Sequence, residues 1–364
     1  MKICFLSAAS VIHTVRWVNG MAKLGHEVHL ITMHEEEADK IDQRVTIHHL
    51  KIPAPFGYYL NVSKAKRLLK IIQPDLLHVH YASGYGTLAR FINFTPTLLS
   101  VWGTDVYIFP YESKQKERIL RKNLKAADFI TSTSFDMRSQ TQKFTSKQIE
   151  VIPFGIDTNL FHPTERNDVE TIVIGTVKKL EHVYGIDILI KATAFLINNL
   201  REQGQEHLAD RIRLKIVGKG PQLKELKDLT QEYRMDSITD FVGSVPNEEV
   251  PSYLNQIDIF TAFSRSESFG VAVLEASACE LPVIVSDVGG LPEVVQQGET
   301  GYSIPLEHMD EIVEKLARLV IHHEQRIQMG KKGRLFVKQH YMWEKNVLQM
   351  EKIYNKLVNN ELLS

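Results

Sequence analysis

Two cysteines, Cys4 and Cys279, are all that the 364 residues contain. One falls in an apparent strand and the other in an apparent helix, so no disulfide framework is expected, and a reducing cytosol fits better. No apolar run approaches the roughly 20 residues of a transmembrane helix, which leaves only peripheral contact with a membrane. The opening MKICFLSAAS is too short and too polar for a secretory leader and reads as a first strand. There is no repeat at solenoid spacing and no low-complexity segment. No Cys/His cluster has zinc spacing and no Asp-x-Asp pair occurs, so the sequence marks no metal site. No nucleic-acid-binding motif is present and the net charge is −1, so nucleic acid is not an expected partner.

What is present is ordinary globular composition, 43% hydrophobic and 24% charged. The length suits about two domains of roughly 150 residues each. The charge is uneven. Through Pro163 there are 20 Lys/Arg against 14 Asp/Glu, and the remainder has 23 against 30. A basic half and an acidic half suggest different partners, although a surface imbalance without function gives the same numbers.

Strand-like and helix-like segments alternate twice over. KICFLS, HEVHLIT, VTIHHLKI, LLHVH, TPTLLSV, DFITSTS and IEVIPFG are β-rich. Most are separated by stretches with helical spacing, such as Val15, Val18, Met21 and Ala22 before Gly25. This predicts an α/β fold, a doubly wound parallel sheet with helices on both faces. PFGIDTNLFHPTERNDVE has no period and reads as a linker, after which TIVIGTV, RLKIVG, ITDFVG, DIFTAF, LPVIVSD and GYSIP start a second such sheet. The expected domains are 1–163 and 164–340. The amphipathic tail 341–364 is expected to be a helix packing back on the N-terminal domain. Two doubly wound domains on a short linker are expected to leave a cleft facing the carboxyl ends of both sheets.

The stretch SRSESFGVAVLEAS carries two acids, Glu267 and Glu275, around a Ser-Phe-Gly turn. DIFTAF reads as a buried strand, so residues 264–268 form the loop at its carboxyl end and Gly270 starts a helix. Backbone N–H groups near Phe269 to Val271 then offer a site for anions or hydroxyls. Carboxylates are strong acceptors for vicinal hydroxyls, so two of them beside an anion-binding helix end describe a sugar nucleotide. The bland alternative keeps Glu267 as a solvated loop acid and Glu275 as an exposed helix residue.

Glu267, seven intervening residues and Glu275 resemble the E-x7-E motif of the retaining glycosyltransferases of family four, which have the GT-B fold of two Rossmann-like domains. VGKGPQLKEL resembles the family's Gly-x-Gly-Pro turn. FVGSVPNEEVPSYLNQIDIF and PVIVSDVGGLPEVVQQGETGYSIP resemble the segments flanking the motif, and VIPFGIDTNLFHP resembles the interdomain linker. RWVNGMAKLGHEVHLIT and SVWGTDV extend the resemblance to the N-terminal half, so it spans essentially the whole chain.

The resemblance implies that the C-terminal domain binds a nucleotide sugar, with a bias towards UDP, and that the N-terminal domain holds the acceptor. Glu267 would contact hydroxyls of the transferred sugar with the backbone around Ser268, Phe269 and Gly270. Val271 would offer its N–H to the diphosphate, Glu275 would hold the ribose, and Val245 would lie against the base. Lys179, before Leu180, matches the family's basic residue and is the second expected catalytic residue, neutralising the leaving diphosphate. Lys178 stands beside it, and Gly218, Lys219 and Gly220 form the glycine turn; Lys219 is a phosphate ligand or a plain surface lysine. Where the family has a second lysine, this chain has Tyr184, with His182 nearby.

In the N-terminal half, SAASVIHT replaces the family's Gly-Gly loop and Trp102 replaces a histidine. His13, His80, Trp102 and Asp105 are the acceptor-side candidates. For His13 and Trp102 a structural role, capping the loop or filling the core, is the alternative; His78 reads as core.

SKAKRLLKIIQP and ESKQKERILRKNLKAAD carry cations at helical spacing. They suit anionic headgroups or a lipid-diphosphate acceptor, or else form a solvated face. The implied enzyme is a cytoplasmic hexosyltransferase, at the inner face of a membrane. It moves a hexose or N-acetylhexosamine with retention to a glycan or lipid-linked acceptor in surface polysaccharide synthesis. It needs no cofactor and, lacking Asp-x-Asp, no metal. The rivals are a sugar-nucleotide epimerase or phosphorylase on the same fold, and a nucleotide-sugar-binding subunit without turnover.

Overall fold

The computed structural model describes residues 1–35, 40–165 and 170–361. Residues 166–169 of the expected linker and 362–364 of the expected final helix lie outside the described residues. The chain divides into two compact units, Met1–Phe154 with Glu344–Ser364, and Gly155–Trp343. Residues 155–163, expected with the first domain, thus group with the second.

Unit 1 runs β1 (Lys2–Leu6), α1 (Ile12–Lys23), β2 (Glu27–Thr32), β3 (Val45–His49), α2 (Gly57–Leu60), α3 (Val62–Ile72), β4 (Leu76–His80) and α4 (Gly84–Ile92). It continues with β5 (Thr97–Ser100), α5 (Thr104–Tyr107), α6 (Lys114–Ala126), β6 (Phe129–Ser132), α7 (Phe135–Gln142) and β7 (Ile149–Val151). The strands form one sheet of order β3-β2-β1-β4-β5-β6-β7, with every pairing parallel. β4, β5 and β6 are buried along their whole length, as expected of a parallel sheet covered on both faces, and take His78, His80, Ser100 and Thr131 into the interior with them. Ser113 and Ser134 cap α6 and α7 by accepting N–H bonds from Lys116 and Met137.

Unit 2 runs β8 (Ile172–Val177), α8 (Ile186–Glu202), α9 (Glu206–Ala209), β9 (Ile212–Val217), α10 (Leu223–Glu232), β10 (Thr239–Gly243) and α11 (Val250–Leu254). Then come β11 (Ile259–Ala262), α12 (Val271–Ala278), β12 (Val283–Ser286), β13 (Gly301–Ile304), α13 (Met309–Ile321) and α14 (His323–His340). Its parallel sheet has the order β10-β9-β8-β11-β12-β13. The last helix, α15 (Trp343–Val358), belongs from Glu344 onward to unit 1. There Val347, Met350, Ile353 and Leu357 are buried, the Tyr354 hydroxyl meets His78 Nδ1 at 2.6 Å, and Glu351 meets His26 at 2.9 Å.

In each sheet the strand order reverses direction at one place, between β1 and β4 in unit 1 and between β8 and β11 in unit 2. Crossovers diverge there and leave a crevice at the carboxyl ends, where α/β folds bind ligands. Among the described residues no helix is long and apolar enough to cross a membrane.

Candidate functional site

The switch point of unit 2 brings together two groups far apart in sequence. Lys178 follows β8, its N–H bonded to Val217 at 2.9 Å. Glu267 lies in the loop after the adjacent strand, β11. Lys178 Nζ donates to Glu267 Oε2 at 2.5 Å, and it lies 5.0 Å over the Tyr184 ring. The two side chains are only 12% and 14% exposed. A pair this covered is less screened than a surface ion pair and holds its geometry. Burial pushes the Tyr184 phenol up from its ordinary range.

The side chain that meets Glu267 is thus Lys178, which stands beside the expected diphosphate cation Lys179. Lys179 is exposed. Both lysines, with Lys219, still line one cavity of about 870 Å³, together with Gly218, Gly220, Ser244 and Val245. Glu181 is the only acid in that lining. The cavity wall is thus cationic and suits a polyanion.

Backbone contacts fix these lysines. Gly218 has φ +148, and a Cβ there would come within 1.8 Å of the Lys178 carbonyl oxygen. Only glycine allows the turn to ride so closely on residues 178–180. Leu180 N–H bonds to the Lys219 carbonyl at 3.0 Å, closing the contact.

The Glu267 loop is held from two sides. The Arg265 guanidinium forks onto Asp187 at 2.9 and 2.7 Å and also donates to the His182 carbonyl, while the Arg265 N–H bonds to Val183 at 2.7 Å. Burial raises Asp187, but the Arg265 hydrogen bonds and charge outweigh it and leave the carboxyl below its ordinary range. Across the loop, Gly290 N–H donates to the Glu267 carbonyl at 3.0 Å. Gly289 has φ +54, and a Cβ there would meet that same oxygen at 1.9 Å. The sequence reading missed Arg265, Asp187 and Gly289 as supports of the site. The sequence signal for Gly289 is the Gly-Gly pair in SDVGGLPE.

Gly270, at φ +100, precedes α12 and makes no side-chain capping hydrogen bond, and Val271 occupies the first position of the helix. Phe269 is buried, its ring 5.9 Å from Tyr341. Ser268 and Val245 are half-buried, and Glu275 is half-buried on α12. His182 is exposed.

The matching position in unit 1 is closed. Ser7 Oγ, after β1, bonds to His80 Nδ1, at the end of β4, at 2.9 Å. Ser7 also meets Thr14 Oγ1 at 2.7 Å. His80 is fully buried, and burial drives its pKa well below the ordinary value. Its Nε2 meets no partner among the described residues. Trp102 is buried with its ring 4.0 Å from His80 and 5.4 Å from Phe154. The stacking role is corrected in favour of the core alternative: Trp102 is buried among the rings of His80, His13, Tyr81 and Phe154. His13 stacks on Phe154 at 3.8 Å, and burial, with Arg16, pushes it down to about 3.

Asp105 is corrected too. Its buried carboxylate accepts N–H bonds from Ala82 and Gly103 at 2.8 Å and from Trp102 at 3.2 Å. Burial raises its pKa against those bonds. It ties the loops after β4 and β5 together and has no oxygen left uncommitted for a sugar. His78 is core, as its sequence position predicts, bonded to Tyr354 and to Ser100 at 2.7 Å.

A lysine-lined cavity beside a held carboxylate, at the switch point of a parallel sheet, suits an anionic ligand, and the comparisons give the family. The profile described as Glycosyl transferases group 1 matches residues 157–336, and that described as Glycosyl transferase 4-like matches residues 2–134. The chain belongs to the group 1 glycosyltransferases of GT-B fold. It is 24% identical to N-acetyl-alpha-D-glucosaminyl L-malate synthase of Bacillus anthracis, over 94% of this chain and 92% of that one. It is 28% identical to a GDP-mannose-dependent alpha-(1-6)-phosphatidylinositol monomannoside mannosyltransferase of Mycobacterium tuberculosis, over 62% of this chain and 61% of the other. Among solved structures, sucrose-phosphate synthase of Thermosynechococcus elongatus superposes with TM-score 0.84 at 20% identity, covering 99% of this chain and 100% of that one. Anabaena HepE in complex with UDP and glucose gives 0.78 at 18% identity, covering 98% and 100%.

Proposed function

We propose that this glycosyltransferase moves a hexose or N-acetylhexosamine from a nucleoside-diphosphate sugar, a UDP-sugar, to a lipid-linked glycan, with retention at the anomeric carbon. The observation that carries the proposal is the Lys178–Glu267 pair at the mouth of a cavity lined by three lysines. Lys178, Lys179 and Lys219 neutralise the diphosphate, and the amino end of α12 adds N–H groups and a favourable dipole. Such charges are preorganised and cost no reorganisation when the leaving group gains its charge. Divalent metal is not required in this scheme.

Glu267, its carboxylate fixed by Lys178, accepts hydrogen bonds from sugar hydroxyls and positions the donor; it does not attack. Glu275 is assigned to the ribose and Val245 to the base. The bond between the anomeric carbon and the phosphate oxygen breaks, and the nucleoside diphosphate leaves with the bonding pair. The acceptor oxygen bonds to the same face of that carbon, and its proton passes to the departing phosphate oxygen. The basic helices α3 and α6 favour an acceptor with lipid-linked phosphate, reached in the cytosol at a membrane face during surface polysaccharide synthesis.

The test is a thermal-shift panel of UDP-GlcNAc, UDP-glucose, UDP-galactose and GDP-mannose with EDTA present, followed by diphosphate release with the hits. A bound donor raises stability by mass action. Stabilisation by one donor with slow release supports the proposal. Release that appears only on adding a divalent ion refutes the metal-free scheme, and indifference to all four donors refutes the role of the site.

A further inference from the structure

Among the described residues two groups meet the head of Lys178. Glu267 Oε2 accepts from it at 2.5 Å, and the centre of the Tyr184 ring lies 5.0 Å from it, with the head over the ring face. The carboxylate alone is a loose hold. A lysine stem is flexible, and a polyanion in the adjoining cavity competes for the same head. A ring face attracts such a head within about 6 Å of its centre, and more strongly where water is partly excluded. The Lys178 side chain is only 12% exposed.

The ring is itself held. Tyr184 closes a short turn, His182–Tyr184, with its N–H bonded to the Glu181 carbonyl at 2.9 Å. Its side chain is half-buried and packs on the hydrophobic core of unit 2. On one side of it, Val183 accepts the Arg265 N–H. On the other, Gly185 passes so close to Phe263 that a Cβ would stand 1.8 Å from that carbonyl oxygen. Phe263 and Arg265 follow β11 and lead into Glu267. The ring and the carboxyl group are therefore fixed to one frame, and the lysine head is clamped between them.

We propose that Tyr184 is a positioning residue for sugar transfer: its ring keeps the Lys178 head on Glu267 while the cavity holds a diphosphate, so that the Glu267 carboxyl group stays aligned on the donor sugar. Tyr184 acts through Lys178 and is assigned no contact with a reacting atom. The kinetic consequence rests on the sugar-transfer reading, whereas the clamp itself is open to a measurement without donor.

The kinetic test is a double-mutant cycle with the preferred donor. Tyr184→Leu is expected to lower kcat about tenfold with the donor KM changed less than about threefold, and Tyr184→Phe, which keeps the ring, to stay within about twofold of wild type. In the Lys178→Ala background, Tyr184→Leu is expected to cost nothing further, because the group it acts through is gone. A second full loss in that background overturns the proposal, and so does wild-type kcat in Tyr184→Leu. Tyr184→Met repeats the comparison if the leucine variant does not fold.

Nuclear magnetic resonance of the full chain, labelled with carbon-13 at lysine Cε, supplies the readout without donor. The signal that Lys178→Ala removes is expected upfield of the other lysines, through the ring current, in wild type and in Tyr184→Phe. It is expected to rejoin them in Tyr184→Leu. An ordinary Lys178 shift in the wild type overturns the clamp, whatever the chain does with sugars. A shifted signal in a chain that turns over no donor supports the clamp and counts against the sugar-transfer reading.

Discussion

The two units use the same point of the same architecture in opposite ways. At the β8/β11 switch point, the residues that follow the strands are a lysine and a glutamate, paired, slightly exposed and next to an 870 Å³ cavity. At the β1/β4 switch point, they are Ser7 and His80, bonded at 2.9 Å and buried under Trp102. In the first arrangement one side stays open to water and to a polyanion. In the second, burial without a counter-charge favours the neutral form, so the histidines lose their protons. Topology supplies a crevice, and the side chains filling it decide whether that crevice binds or packs.

The sharpest way to break the comparison is Glu267→Ala. If the open pair carries the chemistry, turnover falls by on the order of 1,000-fold while circular dichroism and Tm stay near wild type. Normal transfer by a well-folded variant would remove Glu267 from the mechanism.

Next comes the choice between neighbouring lysines. Lys178→Ala is expected to lower kcat/KM by roughly 100-fold, and Lys179→Ala by less than about tenfold. Steady-state kinetics with the preferred donor checks this, and the reverse order would restore Lys179 as the principal cation.

On the closed side, Asp105→Ala leaves buried N–H groups of Ala82, Trp102 and Gly103 without their acceptor. A loss of about 2 kcal/mol in chemical denaturation is expected. Unchanged stability together with a raised acceptor KM would instead return Asp105 to the binding surface.

The most gradual effect, small for each step in pH, concerns the buried histidines. Burial holds His78 at about 3, below its ordinary 6.5. The unfolded chain therefore takes up a proton first, so stability is fully present above about 6.5 and is lost as pH falls towards 3. The loss is on the order of 1 kcal/mol per pH unit for each such histidine. His78→Gln keeps hydrogen-bonding capacity and should flatten the fall in Tm between pH 6.5 and 4. An identical slope in the variant would assign the acid sensitivity elsewhere.

Part of the site was legible in sequence because it depends on local order. Phe269-Gly270 between two glutamates implies a loop followed by a helix start, and β11 and α12 place them so. The GKGP turn was legible for a similar reason: glycines at such spacing mark close backbone approach. The contact between Lys178 and Glu267 was not legible, because a motif match such as Lys179 before Leu180 carries no information on side-chain direction. Trp102 and Asp105 were misassigned because polar and aromatic residues near a strand end look alike in sequence whether they face a ligand or three backbone N–H groups.

By itself the sequence determined the alternation of strands and helices, the two doubly wound sheets, and the loops that carry the lysines and Glu267. Periodicity and turn chemistry act over a few residues, so a linear reading recovers them. Only the tertiary structure decided that Lys178 meets Glu267 across 89 positions, that Arg265 and Gly289 hold the loop, and that His80 and Trp102 belong to the interior. Those outcomes depend on burial and on contacts between distant segments, which exist only once the sheets have formed.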